Sequence, residues 1–230
     1  MALHSPICPW SHFELPNFTS CEPLRCSIVR EPLNTYSSIA YLIAAAVLYR
    51  RYLVKGQKFD LEFSIMAAII GVASVLGHGS FTRFFFFFDF AAQFVFFAYL
   101  ISLNFSRLRP LTIKKRMFIA GTLIIVSSWH YATFGTLGVL TVEILATFYL
   151  LSEITCFFKD RMPQYCDLMW CLGIFAVGFL FFALDITKAV CIHSHYFHMH
   201  SVWHILSAVS MYFLANHYAQ LVTRRLPRQV

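Results

Sequence analysis

The chain has 230 residues, of which 59% are hydrophobic, 18% aromatic and only 13% charged. A soluble domain carries about a quarter charged residues, so this composition excludes one and requires most of the chain to face lipid or other apolar helices. The formal charge of +7 is spread over several short segments and not gathered on one face, which gives no reason to invoke nucleic acid. Residues 1–20 lack a basic start followed by an apolar run, so they do not read as a cleaved signal peptide, and the first span would serve as the targeting signal.

In chain order, seven apolar segments near the ~20 residues of a bilayer crossing are expected at about 34–53, 61–80, 84–105, 116–134, 136–157, 166–187 and 199–221. The expected fold is an all-α membrane protein, a seven-transmembrane helix bundle at 34–221, preceded by an extracytoplasmic segment (1–33) and followed by a basic tail (222–230). Tight turns around 81–83 and 134–138 separate neighbouring spans, because fusing either pair gives an apolar run too long for one crossing. Five consecutive phenylalanines at 84–88 read as an aromatic wall against lipid or core.

Charge orients this bundle. The segments after spans one, three and five, together with the tail, hold fourteen of the eighteen Lys and Arg, among them Arg50, Arg51, Arg107, Lys159, Arg161, Arg225 and Arg228. The opposite side keeps Arg25, Arg30, Arg83 and Lys188. The positive-inside rule then places the N-terminus outside and the C-terminus in the cytoplasm.

This topology brings distant polar residues to one depth. Ser74 and His78 fall near the outer end of span two, Asp89 in the first turns of span three, and His200 and His204 in the outer part of span seven. Glu31 and Asn34 stand at the outer start of span one. Two imidazoles at i, i+4 share a helix face and can donate two nitrogens to one zinc ion, with His78 as the third ligand. Asp89 is the hardest to explain as structure, since an unpaired carboxylate in a phenylalanine-rich span is costly. His193, His195 and His198 read as interfacial histidines, Trp129 and His130 as an interfacial aromatic element, and Glu143 and Asp185 as polar residues paired within the bundle. Nothing in span seven offers a lysine to hold retinal, which disfavours a photoreceptor.

The set Glu31-Pro-Leu-Asn34, Ser74-x-x-x-His78, Asp89 and His200-x-x-Trp203-His204, with Cys21-Glu22 ahead of it, resembles the alkaline ceramidase family. That family belongs to a wider group of seven-span hydrolases that includes the adiponectin-type receptors. The resemblance covers nearly the whole chain by motif order, each motif being short. It implies zinc held by His78, His200 and His204, catalytic roles for Ser74 and Asp89, and a Cys21–Cys191 bridge. Cys26 competes as the partner on residue positions alone, and Cys156, Cys166 and Cys171 read as reduced packing residues. The resemblance also raises a Ca2+ site near the first span. Thr19, Ser20 and Leu24 depart from that pattern and leave only Glu22 and Glu31 as matching acids, so the calcium set is incomplete. Glu22 then reads as a solvated loop carboxylate.

The expected function is a zinc-dependent amide hydrolase that cleaves a ceramide-like membrane lipid into fatty acid and sphingoid base, with its site toward the exoplasmic side. Three neutral imidazoles leave zinc a fourth position for water, whose pKa falls toward ~7. Asp89 would move the proton and Ser74 would support the developing oxyanion. Two alternatives keep the metal: a hydrolase of another acyl lipid, and a zinc-containing seven-span receptor.

Overall fold

The computed structural model describes residues 8–134, 138–160, 165–192 and 197–225. His193, His195, Arg161, Arg228 and the turn at 135–137 lie outside the described residues, as does the tail from 226 onward. The described residues form eight helices and no strand: α1 (Pro32–Ser37), α2 (Ile39–Lys55), α3 (Lys58–Ser80), α4 (Arg83–Leu108), α5 (Ile113–Phe134), α6 (Gly138–Asp160), α7 (Cys166–Ile186) and α8 (Met199–Arg225). Five of them, α3 to α7, are long and apolar enough to cross a membrane. Their outer faces carry exposed apolar side chains such as Phe118, Ile125, Trp129 and Leu180, as expected where lipid replaces water.

The first expected span is divided. Thr35 Oγ1 donates to the Glu31 carbonyl at 2.6 Å, and Ser37 Oγ and Ser38 Oγ both donate to the Asn34 carbonyl at 3.0 and 2.8 Å. Such back-bonding from Ser and Thr competes with the backbone ladder and bends a helix, and α1 gives way to α2 at Ser38. Glu22 is also not solvated. It is buried, and its two carboxylate oxygens accept the Leu33 and Asn34 N–H groups at 2.8 and 2.9 Å. A carboxylate is well placed on the free N–H groups of a first helical turn, so Glu22 closes α1 from a loop ten residues upstream. Burial raises its pKa, and those two backbone bonds hold the rise back.

Between α3 and α4 the chain reverses in two residues. Phe81 adopts a left-handed conformation (φ 47°), and Thr82 caps α4 through its side chain. α3 packs on α2 and α4, α4 supports α5 and α6, and α8 packs on α7, α2 and α3. Among the described residues α6 and α7 do not approach one another. Two disulfides, Cys8–Cys26 and Cys21–Cys191, fasten the N-terminal segment to itself and to the loop before α8. Cys156, Cys166 and Cys171 are free thiols.

Further along α8 from the three histidines lies a polar knot. Arg107 Nη1 donates to both Glu153 oxygens at 2.7 Å, His217 Nε2 lies 3.1 Å from Glu153 Oε1, and Tyr218 Oη donates to Asn104 Oδ1 at 2.9 Å. Arg107, expected in a basic loop, is therefore buried as the counter-ion of Glu153. Paired in this way, the charges tie α4, α6 and α8 together where an unpaired one would be costly.

Helices α2 and α3 meet closely at Gly71, where a Cβ would come within 2.8 Å of Leu42 Cδ2 and 3.0 Å of Tyr41 Cβ. Gly71→Val is therefore expected to lower stability by about 1–3 kcal/mol through overpacking, read as a drop in Tm of the detergent-solubilised protein. An unchanged Tm would mean that α2 and α3 are not in register here.

Candidate metal centre

Three histidines from two helices converge. His78 comes from the last turn of α3, and His200 and His204 from the first two turns of α8, four residues apart on one face. Their ring centroids lie 4.9 Å (His78–His200), 4.9 Å (His78–His204) and 4.7 Å (His200–His204) apart, and all three are buried. One nitrogen of each lies within 4.8 Å of the others, so the group could hold a metal ion.

The second nitrogen of each ring decides whether these residues fit an ion. His78 Nδ1 meets Glu31 Oε2 at 2.5 Å. His204 Nδ1 meets Ser37 Oγ at 2.9 Å and the Asn34 carbonyl at 3.1 Å. His200 Nδ1 lies 3.4 Å from Asp185 Oδ2, a facing pair without a hydrogen bond between them or to any other described group. With each Nδ1 turned to an oxygen, each Nε2 is left as the free donor. This is the pattern of metal-bound histidine, in which an outer carboxylate or carbonyl fixes the tautomer and aims the ring. Three imidazole nitrogens are a donor set that suits zinc, and the residues present fit the ion.

Glu31 is the hub of this outer layer. Its Oε1 accepts from Ser20 Oγ and its Oε2 faces Asn34 Nδ2 at 3.3 Å as well as His78. Burial pushes its carboxyl up to about 7 against those hydrogen bonds, which lower it. Asn34 also reaches α8, accepting from Ser201 Oγ at 3.2 Å. Asp185 Oδ1 in turn accepts the Cys21 N–H at 3.3 Å, so the segment bridged to Cys191 touches the partner of His200.

Ser74 and Asp89 line the same cavity as the three histidines. Ser74 Oγ shares a hydrogen bond of 2.9 Å with Ser38 Oγ, whose own oxygen lies 3.2 Å from His204 Nδ1. Asp89 is buried, and among the described residues no hydrogen bond reaches it. It sits opposite Gly77, where a Cβ would stand 3.4 Å from Asp89 Cβ, so the absent side chain at 77 lets α4 pack closely on α3 at this level. The cavity, of about 310 Å³, runs from this cluster between α3, α4, α6, α7 and α8, and its walls are largely apolar, with phenylalanine the commonest residue.

His198, read as an interfacial histidine, is buried. Asp185, read as paired within the bundle, faces His200, and Glu31 faces His78. Ser37 and Ser38 carried no signal. The chain matches no model of a known protein family and no curated protein.

Purified protein is expected to carry about one zinc per chain by elemental analysis, lost in His78→Ala, His200→Ala and His204→Ala and kept in His198→Ala. Glu31→Gln and Asp185→Asn should retain zinc with an affinity lowered 10–100-fold. Full zinc in His200→Ala would remove α8 from the centre.

Proposed function

We propose that this chain is a zinc-dependent intramembrane amide hydrolase that cleaves a ceramide-like N-acyl lipid into a fatty acid and a sphingoid base. One observation carries the reading: a three-histidine donor set, a serine and an unpaired carboxyl group border a single apolar cavity inside a bundle of membrane-length helices. A structural ion would need only the ligands and their supports. Asp89 has no such task. The resemblance to the alkaline ceramidases supplies the lipid class, which the apolar walls accommodate.

His78, His200 and His204 would hold the ion through Nε2. When bound, zinc would supply a Lewis acid and lower the pKa of water toward ~7. Asp89, lacking a hydrogen bond of its own, would accept the proton of the attacking water and deliver it to the departing amine nitrogen. Ser74 would donate to the oxygen that gains charge at the scissile carbonyl, with Ser38 orienting its hydroxyl. The phenylalanine-rich walls would exclude bulk water and hold the acyl chain.

The reading extends to topology. In a seven-span arrangement α1 and α2 together form the first span and α8 the last, with the N-terminus outside and the C-terminus cytoplasmic. The centre then lies toward the exoplasmic leaflet. Two disulfides in the N-terminal segment and the α7–α8 loop agree with an oxidising outer face. A receptor or a hydrolase of another acyl lipid would use the same centre, and product identification separates them.

Asp89→Asn and Ser74→Ala are expected to keep zinc and fold while lowering turnover of an N-acyl sphingoid base about a hundredfold or more. Wild-type turnover in both variants would exclude them from the mechanism, and no turnover by wild type across a panel of acyl lipids would favour the receptor. For orientation, a membrane-impermeant thiol reagent on intact reduced cells should label Lys188→Cys and not Arg225→Cys. Labelling of Arg225→Cys alone would invert the bundle and move the centre to the cytoplasmic leaflet.

A further inference from the structure

The metal centre does not account for every polar group in the cavity. Glu143 and Gln93 line the same walls, both partly buried. Among the described residues neither has a hydrogen bond or ion pair. This contrasts with Glu153 on the same helix, whose two oxygens are taken up by Arg107, His217 and Tyr218. A carboxyl group left without a partner in an apolar membrane wall is costly unless a ligand supplies one.

Register places the two side chains at one level. α4 and α6 run parallel, because their contacts advance together along both. Phe97 meets Tyr149 with ring centroids 6.4 Å apart, Asn104 Nδ2 donates to Ser152 Oγ at 3.0 Å, Cys156 Sγ reaches the Asn104 carbonyl at 3.6 Å, and Lys159 reaches the Leu108 carbonyl. These pairs are offset by 48 to 52 residues. Gln93 and Glu143 stand at that same offset, about one helical turn beyond the level of Asp89, since Asp89 and Gln93 are i, i+4 on α4.

We propose that Gln93 and Glu143 form a second polar station in the cavity that reads a hydroxyl group carried a few bonds from the scissile amide. This rests on the hydrolase reading and narrows its substrate. Apolar walls discriminate weakly between alkyl chains, whereas a site built to hydrogen-bond a substrate hydroxyl rejects the analogue that lacks it far more strongly. Gln93 offers both a donor and an acceptor and Glu143 an acceptor pair, so the matching ligand is a long-chain amino alcohol or its N-acyl derivative, and a plain alkyl amide is the poor one.

The test is competitive binding to the purified, zinc-loaded full chain, with a C18 2-amino-1,3-diol and octadecylamine each displacing a fluorescent fatty amide. Wild type should bind the diol about tenfold or more tightly than the plain amine, the contribution of one or two hydrogen bonds. Glu143→Leu and Gln93→Leu should each cut that ratio severalfold with octadecylamine affinity unchanged, and Glu143→Gln should retain part of it. No preference in wild type, or a preference that survives both leucine variants, overturns the proposal. Turnover of the N-acyl diol is measured in parallel, so a protein that binds selectively without hydrolysis sinks the hydrolase reading and keeps the polar station.

Discussion

A buried imidazole can offer one nitrogen to an ion only if its other nitrogen is satisfied, and three such rings stand within 5 Å of each other here. That requirement organises the end of the bundle where the histidines lie. The three oxygens that face their Nδ1 atoms come from different parts of the chain: a carboxylate before α1, a backbone carbonyl within it, and a carboxylate at the end of α7. None belongs to the helices that carry the histidines. The N-terminal segment must therefore fold back over α3 and α8. Arg30 and Glu31 donate their N–H groups to the Gly79 and His78 carbonyls at 2.8 and 3.3 Å, Glu22 closes α1, and the Cys21–Cys191 bridge holds the segment against the loop before α8.

The two polar ends of the bundle differ in a way that separates structure from chemistry. In the Arg107–Glu153–His217 knot each charged group faces an opposite or hydrogen-bonding partner, which is what a structural role in a membrane demands. At the other end Asp89, Gln93 and Glu143 border a cavity and lack such partners among the described residues. Groups left open at a cavity wall are available to a ligand, and groups closed on each other are not. Position on this axis, more than residue type, distinguishes Glu153 from Glu143, ten residues away on α6.

The membrane helices and the histidines were legible in the sequence because both depend on local spacing. Apolar runs of span length announce α3 to α7, and four-residue spacing puts His200 and His204 on one face. The supports of the histidines were not legible in the same way. Glu31 and His78 are 47 residues apart, and no local pattern pairs one buried acid with one imidazole among many. Glu22 looked solvated because its neighbourhood is polar, yet its burial arises from the free N–H groups of α1, a tertiary effect. The break at Ser38 follows from side-chain hydrogen bonds that helical periodicity does not register. Arg107 misled for the opposite reason: a basic residue at a helix end resembles a cytoplasmic anchor until Glu153 appears beside it.

Because the ligands are buried, a bound ion and the fold are coupled. An ion that binds the folded chain and not the unfolded one stabilises it by RT ln(1 + [L]/Kd), and at this centre it also places positive charge among buried acids that otherwise repel one another. Under the enzymatic reading, removing a histidine would remove chemistry and stability at once, so loss of activity in such a variant would not assign a catalytic role. Asp89 is different. It accepts no hydrogen bond among the described residues and supports no imidazole, so replacing its carboxyl by an amide of the same shape leaves the supports of the ion intact. Any loss that follows belongs to proton transfer, which makes Asp89, and not the histidines, the residue on which the enzymatic reading stands.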